Sequence, residues 1–139
     1  MTRGVKTASP ERSDVARALV SVVDDDQSVR ESLPDLLRQL GFSALAFSSA
    51  EEFLGSDAFS MTRCLMLDIA MPGMSGPELQ KELARREHVI PIIFITAGAE
   101  RSLHRDLIAR GAIDLLLKPF SQEALKSALG AAMRDCARD

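Results

Sequence analysis

Residues Cys64–Gly76 read CLMLDIAMPGMSG, and the fold follows from how that stretch is punctuated. Four apolar residues, Cys64–Leu67, are too few for a typical helix and end directly on a carboxylate, Asp68. Pro72–Gly73 marks a turn, and the flanking Met71 and Met74 are expected to pack that loop. Ser75 followed by Glu78 has the spacing of a capping box, so a helix should begin there. The unit is therefore a short buried strand, a polar residue at its end, a turn and a helix.

The same texture recurs on both sides. Leu19–Val23 is followed by Asp24, Asp25 and Asp26; Ile92–Ile95 by Thr96; Ile113–Leu117 by Lys118 and Pro119. A weaker run, Ala44–Phe47, follows Gly41. Near-continuous apolar runs of this length suit parallel strands buried on both faces. Between them, apolar residues recur at helical spacing: Val29, Leu33, Leu36, Leu37 and Leu40; Phe53 and Leu54; Leu79 and Leu83; Leu103, Leu107 and Ile108; Leu125, Leu129 and Met133. Ser49 with Glu52 reads as a second capping box, Ser121 as an N-cap, and Gly41 and Gly111 as helix stops. Pro34 falls inside the first helix, where it deletes a backbone hydrogen bond and is expected to kink it. Five strands alternating with five helices predict an α/β fold, a doubly wound parallel sheet built by right-handed crossovers.

Composition narrows the class. One domain is the expectation for 139 residues, and 46% hydrophobic with 27% charged residues is an ordinary globular balance. A net charge of −3 gives no basic patch for direct nucleic-acid binding, though an acidic domain can still regulate a DNA-binding partner. Two cysteines, Cys64 and Cys136, form no disulfide framework and read as thiols in a reducing cytosol. No apolar run approaches the roughly 18 residues needed to cross a bilayer, and the polar N-terminus lacks the core of a signal peptide. The expectation is a cytoplasmic chain with a flexible leader over residues 1–16 and one domain over 17–139. His88 and His104 have no partner at metal-ligand spacing and read as solvated surface.

Open α/β sheets bind ligands outside the carboxyl ends of their strands. Here those ends deliver Asp24, Asp25, Asp26, Asp68, Thr96 and Lys118 to one edge. Clustered carboxylates repel unless a cation intervenes, and a hard ion such as Mg²⁺ takes one or two carboxylates together with a phosphate. A carboxylate can also attack phosphorus to give an aspartyl phosphate, which needs cations around its oxygens. Asp26 reads better as a cap for the first helix than as a ligand.

The stretches VVDDDQSVRESL, LMLDIAMPGMSG, FITAG and GAIDLLLKPF resemble the successive signatures of the response-regulator receiver family, over residues 18–138. The texture is most like the subgroup often fused to helix-turn-helix output domains. The resemblance implies a flavodoxin-like strand order, 2-1-3-4-5, and a two-component switch rather than an enzyme, phosphorylated by a sensor histidine kinase and serving transcription regulation. It implies Asp68 as phosphoacceptor, Thr96 as switch hydroxyl and Lys118 as phosphoryl contact, with a cis bond to Pro119. Mg²⁺ or Mn²⁺ would be held by Asp25 directly, by Asp24 largely through water, by Asp68 and by the backbone carbonyl of Ala70. Residues 101–133 would form the moving surface, a homodimer or partner interface that includes Leu103, Leu107, Ala112, Leu116 and Ala124, although a core role explains most of these equally well.

Two positions depart from the family pattern. Leu115 stands where an aromatic residue usually accompanies the hydroxyl's movement. Ala70 and Gly98 stand where side chains often tune hydrolysis. Two rivals remain. A small phosphohydrolase would carry a second carboxylate two residues after its nucleophile, where this chain has Ala70. A phosphorylation-independent interaction module would tolerate Leu115. A stand-alone receiver and a receiver belonging to a longer regulator read alike.

Overall fold

A computed structural model of the chain describes residues 17–98 and 101–137. The expected leader, residues 1–16, and the side chain of Cys136 lie outside the described residues. Five strands run β1 Leu19–Val23, β2 Ser43–Phe47, β3 Cys64–Asp68, β4 Ile92–Thr96 and β5 Asp114–Leu117. They form one parallel sheet in the order β2-β1-β3-β4-β5, with Val20 beside both Ala44 and Cys64, Leu65 beside Ile92, and Ile93 beside Asp114. The helices are α1 Gln27–Gln39, α2 Ala50–Leu54, α3 Gly76–Arg85, α4 His104–Ala109 and α5 Gln122–Ala137. No helix among the described residues is long and apolar enough to cross a membrane.

Alternation along the strands divides the core into two layers. Val23, Leu65, Leu67 and Phe94 face Phe53 of α2, Leu79 and Leu83 of α3 and Leu107 of α4. Val20, Val22, Cys64, Met66, Ile93 and Ile95 face Leu33 and Leu37 of α1 and Leu125 and Leu129 of α5. Strands β3 and β4 are buried at every residue, which is why they read as unbroken apolar runs. Both continue one residue past that run, so Asp68 and Thr96 end their strands inside the ladder.

As expected, Pro34 lies inside α1, which runs from Gln27 to Gln39, and it is buried. Several other local expectations are corrected. The capping box at Ser75 is complete, but the one at Ser49 is only half formed. Ser49 Oγ accepts from Glu52 N–H, while Glu52 reaches one residue further back, accepting from Ser48 N–H at 2.7 Å and Ser48 Oγ at 2.9 Å. The helix expected around Leu103–Ile108 divides into a 3-10 turn, Arg101–Leu103, and α4. His88 is only partly exposed: its ring stacks on Phe59 with centroids 4.3 Å apart, and its Nε2 lies 3.2 Å from Phe59 O. His104 is exposed, as expected. Of the residues weighed between core and interface, Leu107, Ala112 and Leu116 belong to the core. Among the described residues, the large apolar side chains exposed on that side are Ile108 and Leu117.

The complete box gives a measurable expectation. Ser75→Ala removes the acceptor for Glu78 N–H and should lower unfolding stability by about 1 kcal/mol, read as a lower urea midpoint at unchanged slope.

Candidate functional site

The three central strands of the sheet, β1, β3 and β4, end at one edge. Asp24 and Asp25 follow β1, Asp68 closes β3 and Thr96 closes β4. Lys118 follows β5, and its N–H donates to Thr96 O at 2.8 Å, tying the lysine to the end of β4. The Lys118–Pro119 peptide is cis. Lys118 Nζ lies 2.9 Å from Asp24 Oδ2 and 3.8 Å from Asp68 Oδ1. Carboxylate oxygens of Asp24, Asp25 and Asp68 lie within 4.8 Å of one another. Asp24 is wholly buried and Asp68 nearly so, whereas Asp25 is exposed.

Asp26 is exposed and caps α1, its carboxylate accepting from Ser28 N–H at 3.0 Å and Ser28 Oγ at 2.8 Å. Those hydrogen bonds hold its pKa below the usual carboxylate value. Thr96 is buried, and its Oγ1 accepts from Gly98 N–H at 3.1 Å. Gly98 has a φ of +121°, which favours glycine there independently of any role in hydrolysis. Ala70 is exposed in the loop after Asp68; Met71 is buried and Met74 partly so, packing that loop as expected. Leu115 is also partly buried against the core.

Burial, and then the charge of Asp24, push the Asp68 carboxyl up to about 7, against the pull of Lys118. Burial opposes the Lys118 ammonium, but its hydrogen bond to Asp24 and the charges of Asp24 and Asp68 raise its pKa overall. One lysine thus leaves the site short of positive charge. Asp24 Oδ2 is buried and, beyond its ion pair with Lys118, takes no well-directed hydrogen bond. The donors are all oxygen, with no thiolate or imidazole among them, which fits Mg²⁺ or Mn²⁺.

Three contributors had no role assigned from the sequence. Arg30, on α1, donates from Nη1 to Asp24 O at 3.0 Å. Gly76 starts α3 so close to β3 that a Cβ there would lie 2.4 Å from Asp68 O. Glu51 accepts from Met74 N–H at 3.1 Å. The glycine closing PGMSG was the one visible signal; the Arg30 contact reaches back six positions to a backbone carbonyl, and the Glu51 contact joins residues 23 positions apart.

The raised Asp68 pKa has a consequence for stability. A carboxyl that binds its proton more tightly folded than unfolded stabilises the fold below its unfolded pKa, and loses that contribution as pH rises through the folded value. In metal-free protein, this contribution should therefore decline from about pH 4 to about pH 7. Mg²⁺ competes with the proton, so calorimetry should show a larger rise in Tm on adding Mg²⁺ at about pH 8 than at about pH 5.

A doubly wound sheet with an acidic pair, a third aspartate and a lysine at its carboxyl edge defines a receiver-type signalling domain. The chain belongs to that family: the family model for the response regulator receiver domain matches residues 20–130. Nodulation protein W of Bradyrhizobium diazoefficiens is 45% identical over 120 residues, 86% of this chain and 53% of that protein. Response regulator protein TodT of Pseudomonas putida is 39% identical over 84% of this chain and 52% of its own length. The chain thus spans about half the length of these curated relatives. Among solved structures, response regulator StyR superposes with a TM-score of 0.80 at 43% identity, covering 88% of this chain and 62% of that one. The structure titled FixJ-N gives 0.74 at 35% identity, covering 84% and 93%.

Proposed function

We propose that residues 17–139 form a phosphorylation-dependent switch, in which Asp68 accepts a phosphoryl group from the phosphohistidine of a sensor kinase. The observation that carries this reading is the convergence of Asp24, Asp25 and Lys118 on the Asp68 carboxylate. An Asp68 oxygen attacks phosphorus, the P–N bond breaks, and its electron pair returns to the imidazole of the kinase. Asp24, Asp25, Asp68 and the Ala70 carbonyl would hold Mg²⁺ or Mn²⁺. When bound, the ion neutralises negative charge on the carboxylates and the phosphoryl oxygens. Lys118, already beside Asp68, supplies a second positive charge, and the Thr96 hydroxyl would donate to a phosphoryl oxygen.

Charge-assisted hydrogen bonds contribute roughly 1.5–3 kcal/mol each. Inverting a 99:1 population takes about 5.5 kcal/mol. Contacts from Thr96 and Lys118 nearly reach that figure if they form mainly in the active state. The output would be a changed surface over residues 101–133, used for a homodimer or partner, with Ile108 and Leu117 as its apolar members. Similarity to two-component response regulators supports a cytoplasmic role in transcription regulation, exerted through a partner or output domain rather than through direct nucleic-acid contact. Self-catalysed hydrolysis of the aspartyl phosphate would reset the switch, with neither Ala70 nor Gly98 offering a side chain to hold the water.

Leu115 favours one alternative, an interaction module whose surface ignores phosphorylation; phosphorylation without any change in partner binding would establish it. The main reading is tested by phosphotransfer. A labelled kinase phosphohistidine should lose its label to this chain, and EDTA should stop the transfer. Failure with every member of a kinase panel contradicts the proposal.

A further inference from the structure

The loop after Asp68 is tied down at three successive N–H groups. Ser75 N–H donates to Glu78 at 2.8 Å and Gly76 N–H to Ile69 O at 2.9 Å, both local partners. Met74 N–H donates to a different element altogether, the Glu51 carboxylate in the first turn of α2. Gly73 lies directly beneath that carboxylate: its φ is +74°, and a Cβ would sit 3.0 Å from Glu51 Oε2. Apolar packing brings the same segments together, since Met71 and Met74 share a cluster with Ala50 and Phe53.

The stretch that carries Glu51 also touches the other side of the acidic group. Asp24 N–H donates to Phe47 O, the last residue of β2, at 3.1 Å. Between Phe47 and Glu51 the chain has little freedom, because Ser49 caps α2 and Ser48 is held by Glu52. One short segment, Phe47–Glu51, therefore spans from the acidic pair to the loop bearing the Ala70 carbonyl.

We infer that Glu51 is a positioning residue for the metal site, holding the loop after Asp68 in register with Asp24 and Asp25 by accepting the Met74 N–H. The inference rests on the reading of that group as a Mg²⁺ site. Glu51 does not touch the ion; it limits how far the loop must be ordered when the ion binds. An acidic residue in the first turn of α2 would also favour the helix through its charge alone, and the test must separate the two roles.

Glutamine keeps an acceptor at the right length but no charge; alanine keeps neither. Uniformly ¹⁵N-labelled wild type, Glu51→Ala and Glu51→Gln would be titrated with MgCl₂, following backbone amides. Losing one hydrogen bond of ordinary net strength should weaken Mg²⁺ binding about threefold to tenfold in Glu51→Ala. Glu51→Gln should stay within about twofold of wild type. The Met74 amide proton should shift upfield in the alanine variant and stay near its wild-type position in the glutamine variant. Wild-type affinity in Glu51→Ala overturns the inference, as does an equal loss in both variants, which would assign the effect to charge. A wild-type chain that shows no Mg²⁺ titration overturns both this inference and the metal reading beneath it.

Discussion

Lys118→Met is expected to cost the metal-free protein about 2–3 kcal/mol while cutting phosphoryl uptake by about 100-fold. The stability effect follows from what the lysine leaves behind. Asp24 is wholly buried, and Lys118 Nζ at 2.9 Å is its charge partner. Removing one member of a buried pair strands the other, at about 3–5 kcal/mol. The Lys118 side chain keeps about a fifth of its surface exposed, which places the expected cost at or just below the lower end of that range. The effect on uptake has a different origin, the loss of a positive charge beside the oxygens that gain charge as the phosphoryl group transfers. Mg²⁺ separates the two. Removing a neighbouring cation should tighten Mg²⁺ binding, so saturating Mg²⁺ restores most of the stability and little of the uptake. Urea unfolding followed by circular dichroism, with acetyl phosphate uptake measured alongside, checks both. Uptake at the wild-type rate would remove Lys118 from the reaction.

Gly76→Ala is the second large effect, and it arises from backbone rather than charge. A methyl at this position would meet Asp68 O at 2.4 Å, Ile69 Cα at 3.1 Å and the Phe94 ring at 3.1 Å. The first two contacts are main chain and cannot rotate aside. Relief requires α3 to move off β3, which loosens the Gly76 N–H to Ile69 O bond and the packing of Leu79 and Leu83. The expected loss is about 3 kcal/mol, the upper part of the overpacking range, or a Tm lower by roughly 10 °C in a domain of this size. A Tm within a degree or two of wild type would mean that the start of α3 is far more compliant than its packing indicates.

The sheet was legible because parallel strands buried on both faces leave unbroken apolar runs, and each strand lies within one residue of where its run suggested. The candidate site was legible for the same reason, since the residue after a buried run stands at the sheet's edge. What stayed hidden was non-local. His88 looked like surface because its stacking partner, Phe59, is 29 positions away. Glu51 drew no reading from the sequence, because its partner amide is 23 positions away. Leu107, Ala112 and Leu116 could not be divided between core and interface, because an apolar residue on a helix, turn or strand does not say what covers it. Pro34 sits buried inside α1, which extends on both sides of it despite the missing N–H.

Intact mass after incubation with acetyl phosphate tests the central claim most directly, with and without Mg²⁺, for wild type and Asp68→Asn. The account predicts one phosphoryl adduct on the wild type, dependent on Mg²⁺ and absent from the variant. An adduct of equal extent on Asp68→Asn would contradict it, because the acceptor would then lie elsewhere.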